Sequence, residues 1–215
     1  MKGSHLNLPN IITVARIAVC PAIFFLAMSP SVAGRAWAFI LYVAAGLSDV
    51  WDGYLARRYG WITDLGKLLD PIADKLLLAA TFIPFYILSH STDELGRVPW
   101  WGELPLWVVV VIFARELLIT VFRSYAVHSG VVIAAGVAGK RKALLQALFS
   151  GGLLLWYPLR MTARARGWEG HPLWEGWATV HGAWVGITLA LALVLTIYSM
   201  LDYLWRYRSV LGVRS

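Results

Sequence analysis

Residues 48–75 read SDVWDGYLARRYGWITDLGKLLDPIADK and contain five aspartates: Asp49, Asp52, Asp64, Asp70 and Asp74. The stretch lies where two strongly apolar segments meet, so these carboxylates stand inside or at the mouth of the most hydrophobic parts of the chain. At about 100° per residue, Asp49, Asp52, Gly53, Ala56 and Arg57 share one helix face about 140° wide. Gly66, Asp70 and Asp74 recur at i, i+4 and i+8 and share a face of the next helix. The connection over 58–63 is short, which predicts two antiparallel neighbouring helices whose four aspartates, Asp49, Asp52, Asp70 and Asp74, face one another.

The composition around that hairpin fixes the class. Of 215 residues, 59% are apolar and 14% charged, with a mean hydropathy of +0.65. A soluble domain has about a quarter of its residues charged, so a water-soluble globule is excluded, and 12 Trp, 9 Tyr and 8 Phe exclude a disordered chain. An all-α integral membrane protein remains, read as a single domain over 1–215. Six apolar segments, at 10–28, 35–55, 70–89, 104–125, 142–159 and 177–204, are each near the roughly 20 residues that a spanning helix needs. The first could pass for a signal peptide, but Arg16 and Pro21 interrupt it, which favours an uncleaved helix.

Charge sets the expected orientation. With the N-terminus inside, the cytoplasmic loops hold ten Lys and Arg and the opposite loops five, the latter offset by five acidic residues. The positive-inside rule then places both termini in the cytoplasm. The net charge of +7 needs no nucleic acid to explain it, because no basic stripe with interleaved aromatics accompanies it. Most of the tryptophans, Trp51, Trp61, Trp100, Trp101 and Trp205 among them, fall near predicted span ends, as an aromatic belt would. The five histidines have no ligand spacing, which speaks against zinc. Cys20 reads as a small buried side chain.

Four carboxylates in a low-dielectric place repel one another unless cations neutralise them. An all-oxygen donor set suits hard divalent ions, and Mg²⁺ is commonly held by a few carboxylates together with substrate phosphates. Two such ions can clamp the attacking and leaving oxygens of a phosphoryl displacement. Asp64, off the aligned face and near a helix start, reads instead as a helix cap.

The pattern Asp49-x-x-Asp52-Gly53-x-x-Ala56-Arg57, then eight residues, then Gly66-x-x-x-Asp70-x-x-x-Asp74 resembles the signature of the CDP-alcohol phosphatidyltransferase family at every fixed position. The resemblance implies a six-helix membrane enzyme, usually a homodimer, that transfers the phospho-alcohol part of a CDP-linked substrate to an alcohol and releases CMP. It implies two ions, Mg²⁺ or Mn²⁺, held by Asp49, Asp52, Asp70 and Asp74, with Asp74 also the general base. Gly53, Ala56, Arg57 and Gly66 would bind CDP-diacylglycerol, the small residues leaving room for the cytidine and Arg57 meeting the diphosphate.

Outer stretches narrow the expectation. Residues 7–16, NLPNIITVAR, with Arg115-Glu116-Leu117, Arg123, residues 130–135, Gly139-Lys140, Ser199 and Asp202-Tyr203, resemble the bacterial branch of that family that uses glycerol 3-phosphate as acceptor. This implies a protein of the bacterial inner membrane, its active site facing the cytoplasm and in contact with membrane lipids. Arg115, Arg123 and Lys140 are cations near the membrane surface suited to an acceptor phosphate, and Asn10, Thr13 and Arg16 are further site candidates. Other acceptors, inositol phosphate or phosphatidylglycerol, fit the same chemistry. A non-enzymatic cation carrier would explain the aspartates but not Gly53, Ala56 and Arg57. Residues 160–177, rich in Trp, Gly and Arg, match nothing in that pattern.

Overall fold

A computed structural model describes residues 7–61, 63–128 and 137–206. Six helices account for nearly all of them: α1 (Leu8–Ala27), α2 (Val32–Tyr59), α3 (Asp64–Ser89), α4 (Leu106–His128), α5 (Val137–Ala165) and α6 (Pro172–Arg206). A short 3₁₀ turn, Glu94–Gly96, precedes α4, and no strand occurs among the described residues.

The helix ends follow from local chemistry. Asn7 caps α1, its side chain accepting from the Asn10 amide at 3.2 Å, with Pro9 in the first turn where its missing N–H costs nothing. Ser31 caps α2 and Thr63 caps α3, the latter accepting from the Gly66 amide at 3.0 Å. The cap expected at Asp64 is therefore supplied by its neighbour, and Asp64 is the first helical residue. α2 ends at Gly60, whose φ of 67° is open to glycine at little cost, and the Trp61 amide returns to the Ala56 carbonyl at 3.0 Å.

Each of the six apolar segments corresponds to one helix, but the helices run further than apolarity suggested. α2 continues to Tyr59 and α3 begins at Asp64, so the aspartate stretch is almost wholly helical and the turn is only 60–63. The stretch 160–177 is likewise mostly helix, with 166–171 as the connection. There Trp156, Trp177 and His181 stack with centroids 4.6 to 5.8 Å apart, and the His181 ring meets the Gly152 carbonyl at 2.9 Å.

α1 packs on α2 and α3, α5 packs on α6 and α2, and α4 leans on α6. Phe82, Phe85, Phe149, Leu153, Tyr157 and Leu189 fill the centre, with the Phe82 and Phe149 rings 5.4 Å apart. Large apolar side chains also cover the outside, Phe25, Val50, Val121 and Leu173 among them, as expected of helices that face lipid. Length and composition alone make α1, Leu68–Ser89 of α3 and Pro172–Trp205 of α6 long and apolar enough to cross a membrane. α2, α4 and α5 carry the charged residues Asp49, Asp52, Arg115, Glu116 and Lys142 that dilute their apolar runs.

Candidate active site

The predicted confrontation of aspartates is present, and Arg16 stands at its centre. α1 lies against the α2–α3 hairpin and projects a guanidinium with no exposed surface between the two carboxylate-bearing faces. That guanidinium pairs with Asp49 and Asp52 of α2 and lies 3.9 Å from Asp74 of α3. One turn earlier, the Thr13 hydroxyl lies 3.1 Å from Asp70 and 3.4 Å from Asp52, and 3.1 Å from the Pro9 carbonyl. It has one proton to donate, so it joins the fourth carboxylate to the group without satisfying all three acceptors at once.

Two cavities flank this centre and divide the aspartates between them. The first, of about 200 Å³, is bordered by Asp52 and Asp70, by the small residues Gly53, Ala56 and Gly66, and by Trp61. Its narrowness explains Gly66: a Cβ there would sit 2.9 Å from Asn10 Oδ1 and 3.2 Å from Thr63 Oγ1, and the Thr63 hydroxyl donates to Asn10 at 3.0 Å. The second, of about 400 Å³, is bordered by Arg16, Asp49 and Asp74 on one side and by Glu116, Lys142 and Gln146 on the other.

The sequence-predicted residues are distributed accordingly. Asp49, Asp52, Asp70, Asp74, Gly53, Ala56, Gly66, Asn10, Thr13 and Arg16 all border one cavity or the other. The side chains of Arg57 and Arg123 lie outside the described residues. Arg115 is buried, donating to Ser199 Oγ at 3.2 Å and to Glu116 at 3.4 Å. It does not border the second cavity, whereas Lys142, paired with Glu116, does. Lys140 is exposed near the start of α5, next to Gly139, whose Cβ position is 3.5 Å from the Arg115 guanidinium. Reading the sequence passes over Lys142, Glu116 and Trp61 as site residues. The signal for the first two is that Glu116 is the sole acid between Glu103 and Glu169, so its charge in an apolar helix calls for a cation from elsewhere.

An N-terminal arginine among aspartates, with small residues lining an adjoining cavity, agrees with the family suggested by the motif, and a family comparison decides the matter. The model of the CDP-alcohol phosphatidyltransferase family matches residues 6–198. The chain belongs to that family. A protein of Mycobacterium tuberculosis named as a probable phosphatidylglycerophosphate synthase is 34% identical over 213 residues, 97% of this chain and 85% of the relative. A Bacillus subtilis protein named CDP-diacylglycerol–glycerol-3-phosphate 3-phosphatidyltransferase is 35% identical over 161 residues, 69% of this chain and 77% of its own length. A Streptomyces coelicolor protein named as a CMP-forming cardiolipin synthase is 31% identical over 191 residues, 85% of this chain and 80% of the relative.

Members of the CDP-alcohol phosphatidyltransferase family generally depend on a divalent metal. The donor chemistry here fits such ions: four carboxylates from two helices gather around one positive group, with three of them on Arg16 and the fourth tied in through Thr13. Among the described residues no three acidic, His or Cys side chains close on a single point. The carboxylates instead are divided between two cavities, Asp52 and Asp70 at the first and Asp49 and Asp74 at the second.

Proposed function

We propose that this chain transfers the phosphatidyl group of CDP-diacylglycerol to glycerol 3-phosphate, giving phosphatidylglycerol phosphate and CMP. The observation that carries this reading is the division of the aspartates between two cavities, with Arg16 of the second paired to Asp52 of the first. A displacement at phosphorus needs a donor site and an acceptor site on either side of the reacting atom. The first cavity, lined by Gly53, Ala56 and Gly66, suits the CDP moiety, and the second, lined by Lys142 and Asp74, suits a small anionic alcohol.

In this reading the acceptor hydroxyl enters beside Asp74, which takes its proton as the new bond forms to the lipid-side phosphorus, and the bond from that phosphorus to the CMP oxygen breaks. Arg57 meets the diphosphate, where a planar guanidinium gives two parallel charge-assisted bonds. Lys142 borders the second cavity and supplies positive charge for the acceptor phosphate, with Arg115 close to the start of the same helix. Lys140, two residues earlier, and Arg123 are the further cations proposed for it. Mg²⁺ or Mn²⁺, two ions held by Asp49, Asp52, Asp70 and Asp74, would offset the charge of the phosphate oxygens. All six helices cross a bacterial inner membrane with both termini and the aspartates on the cytoplasmic side, and the enzyme acts as a homodimer. The charge distribution of the loops and the apolar outer surface support this placement.

The test is an acceptor panel. Purified protein, CDP-diacylglycerol and Mg²⁺ are combined with glycerol 3-phosphate, inositol phosphate, phosphatidylglycerol or plain glycerol, and products are identified by mass. Phosphatidylglycerol phosphate is expected as the dominant product. A dominant cardiolipin or phosphoinositide product would keep the family chemistry and overturn the acceptor, and cation uptake into protein-bearing vesicles without lipid substrate would favour a carrier.

A further inference from the structure

Trp61 sits in the turn between α2 and α3, outside every fixed position of the aspartate motif, and its place on the chain suggested only an interfacial belt residue. Its surroundings are too specific for that. The turn is held at three points: the Trp61 amide bonds to Ala56 at 3.0 Å, the Asn7 side-chain amide donates to the Trp61 carbonyl at 2.8 Å, and Tyr59 stacks on the indole at 5.0 Å and 25°. Trp61, one side of its ring supported by Tyr59, borders the same narrow cavity as Gly53, Ala56 and Gly66 while remaining 42% exposed. From Asp52 to the turn at Gly60 the helix rises about 12 Å. The cavity thus runs from carboxylates at one level, past residues too small to obstruct a flat ring, to an aromatic surface at another.

We infer that Trp61 is the stacking wall for the pyrimidine base of the CDP-linked donor, with Tyr59 and Asn7 as positioning residues that hold the indole in place. The inference rests on the proposed donor site. It adds to that site a residue which the motif lacks and which recognises the base, whereas the aspartates and Arg57 serve the phosphates. Stacking of a base on an aromatic side chain adds measurably to affinity and is tolerant of the base, because every base presents a π-face.

The experiment compares CMP with ribose 5-phosphate, which lacks only the base, by calorimetric titration of the detergent-solubilised full chain in Mg²⁺. Trp61→Ala should weaken CMP binding by about fivefold to a hundredfold and leave ribose 5-phosphate unchanged, while Trp61→Phe, which keeps a ring face, should bind CMP within about threefold of wild type. In turnover, Trp61→Ala should raise KM for CDP-diacylglycerol with KM for glycerol 3-phosphate unchanged. Unaltered CMP binding by Trp61→Ala overturns the inference and leaves the proposed function standing. An equal loss for CMP and ribose 5-phosphate overturns it too, because it marks a structural role. Failure of the wild-type chain to bind CMP overturns the functional reading and this inference with it.

Discussion

Replacing Arg16 separates a structural account of the aspartate centre from a merely crowded one. Its guanidinium is wholly shielded, but its three partners are not equivalent: the Asp52 side chain is 7% exposed, Asp49 48% and Asp74 68%. Water screens the last two, so each of those pairs contributes at most about 1 kcal/mol. The pair with Asp52 is shielded on both sides, and removing one partner of such a pair strands the other charge at a cost of about 3–5 kcal/mol. Arg16→Gln keeps most of the bulk and some hydrogen bonding but not the charge, so this loss should appear nearly whole. For a chain of this length each kcal/mol moves the unfolding midpoint by about 2–4 °C, which predicts a fall of roughly 6–20 °C. Thermal unfolding in detergent, followed by tryptophan fluorescence in chelator, measures it. Asp52→Asn in the same background should restore much of the loss, because contacting charges are not additive. A midpoint for Arg16→Gln within about 2 °C of wild type, or a double variant that is simply the sum of the singles, would refute the role given to the Arg16–Asp52 pair.

Asp74→Asn, which keeps the shape and removes the proton acceptor, should lower turnover at least ~10²-fold while CMP binding in Mg²⁺ is retained; wild-type turnover would reassign the base. Activity should disappear in chelator and return with Mg²⁺ or Mn²⁺, with Ca²⁺ supporting little because its longer, looser coordination fits a phosphoryl displacement poorly; undiminished rates in excess chelator would exclude a metal role. Gly66→Ala places a methyl 2.9 Å from Oδ1 of the buried Asn10, so it should raise KM for CDP-diacylglycerol by displacing a wall of the first cavity; an unchanged KM would separate Gly66 from the donor site. Lys142→Ala removes a cation from the second cavity and should raise KM for glycerol 3-phosphate by at least about tenfold, the size of one charged hydrogen bond, without a matching change for the donor.

What the sequence made legible is what short-range geometry determines. Periodicity aligned Asp49 with Asp52 and Asp70 with Asp74, and a short turn made the two helices neighbours; both hold, since a helix places residues three or four apart on one face whatever surrounds it. Apolar runs marked six helices but not their ends, because caps such as Thr63 and the left-handed Gly60 terminate a helix independently of hydropathy. The pairings illegible in the sequence cross long separations. Arg16 meets Asp49 and Asp52 from 33 and 36 positions away, and Lys142 meets Glu116 across 26. Nothing local distinguishes Lys142 from Lys140 two residues earlier, yet Lys142 is buried against Glu116 and Lys140 is exposed. On a helix, residues two apart point about 160° from each other, so only one of the pair can face α4. The choice between them is made by the packing of α5 against the rest of the bundle. The lone acid Glu116, rather than any spacing among the basic residues, is therefore the better guide to which lysine reaches the second cavity.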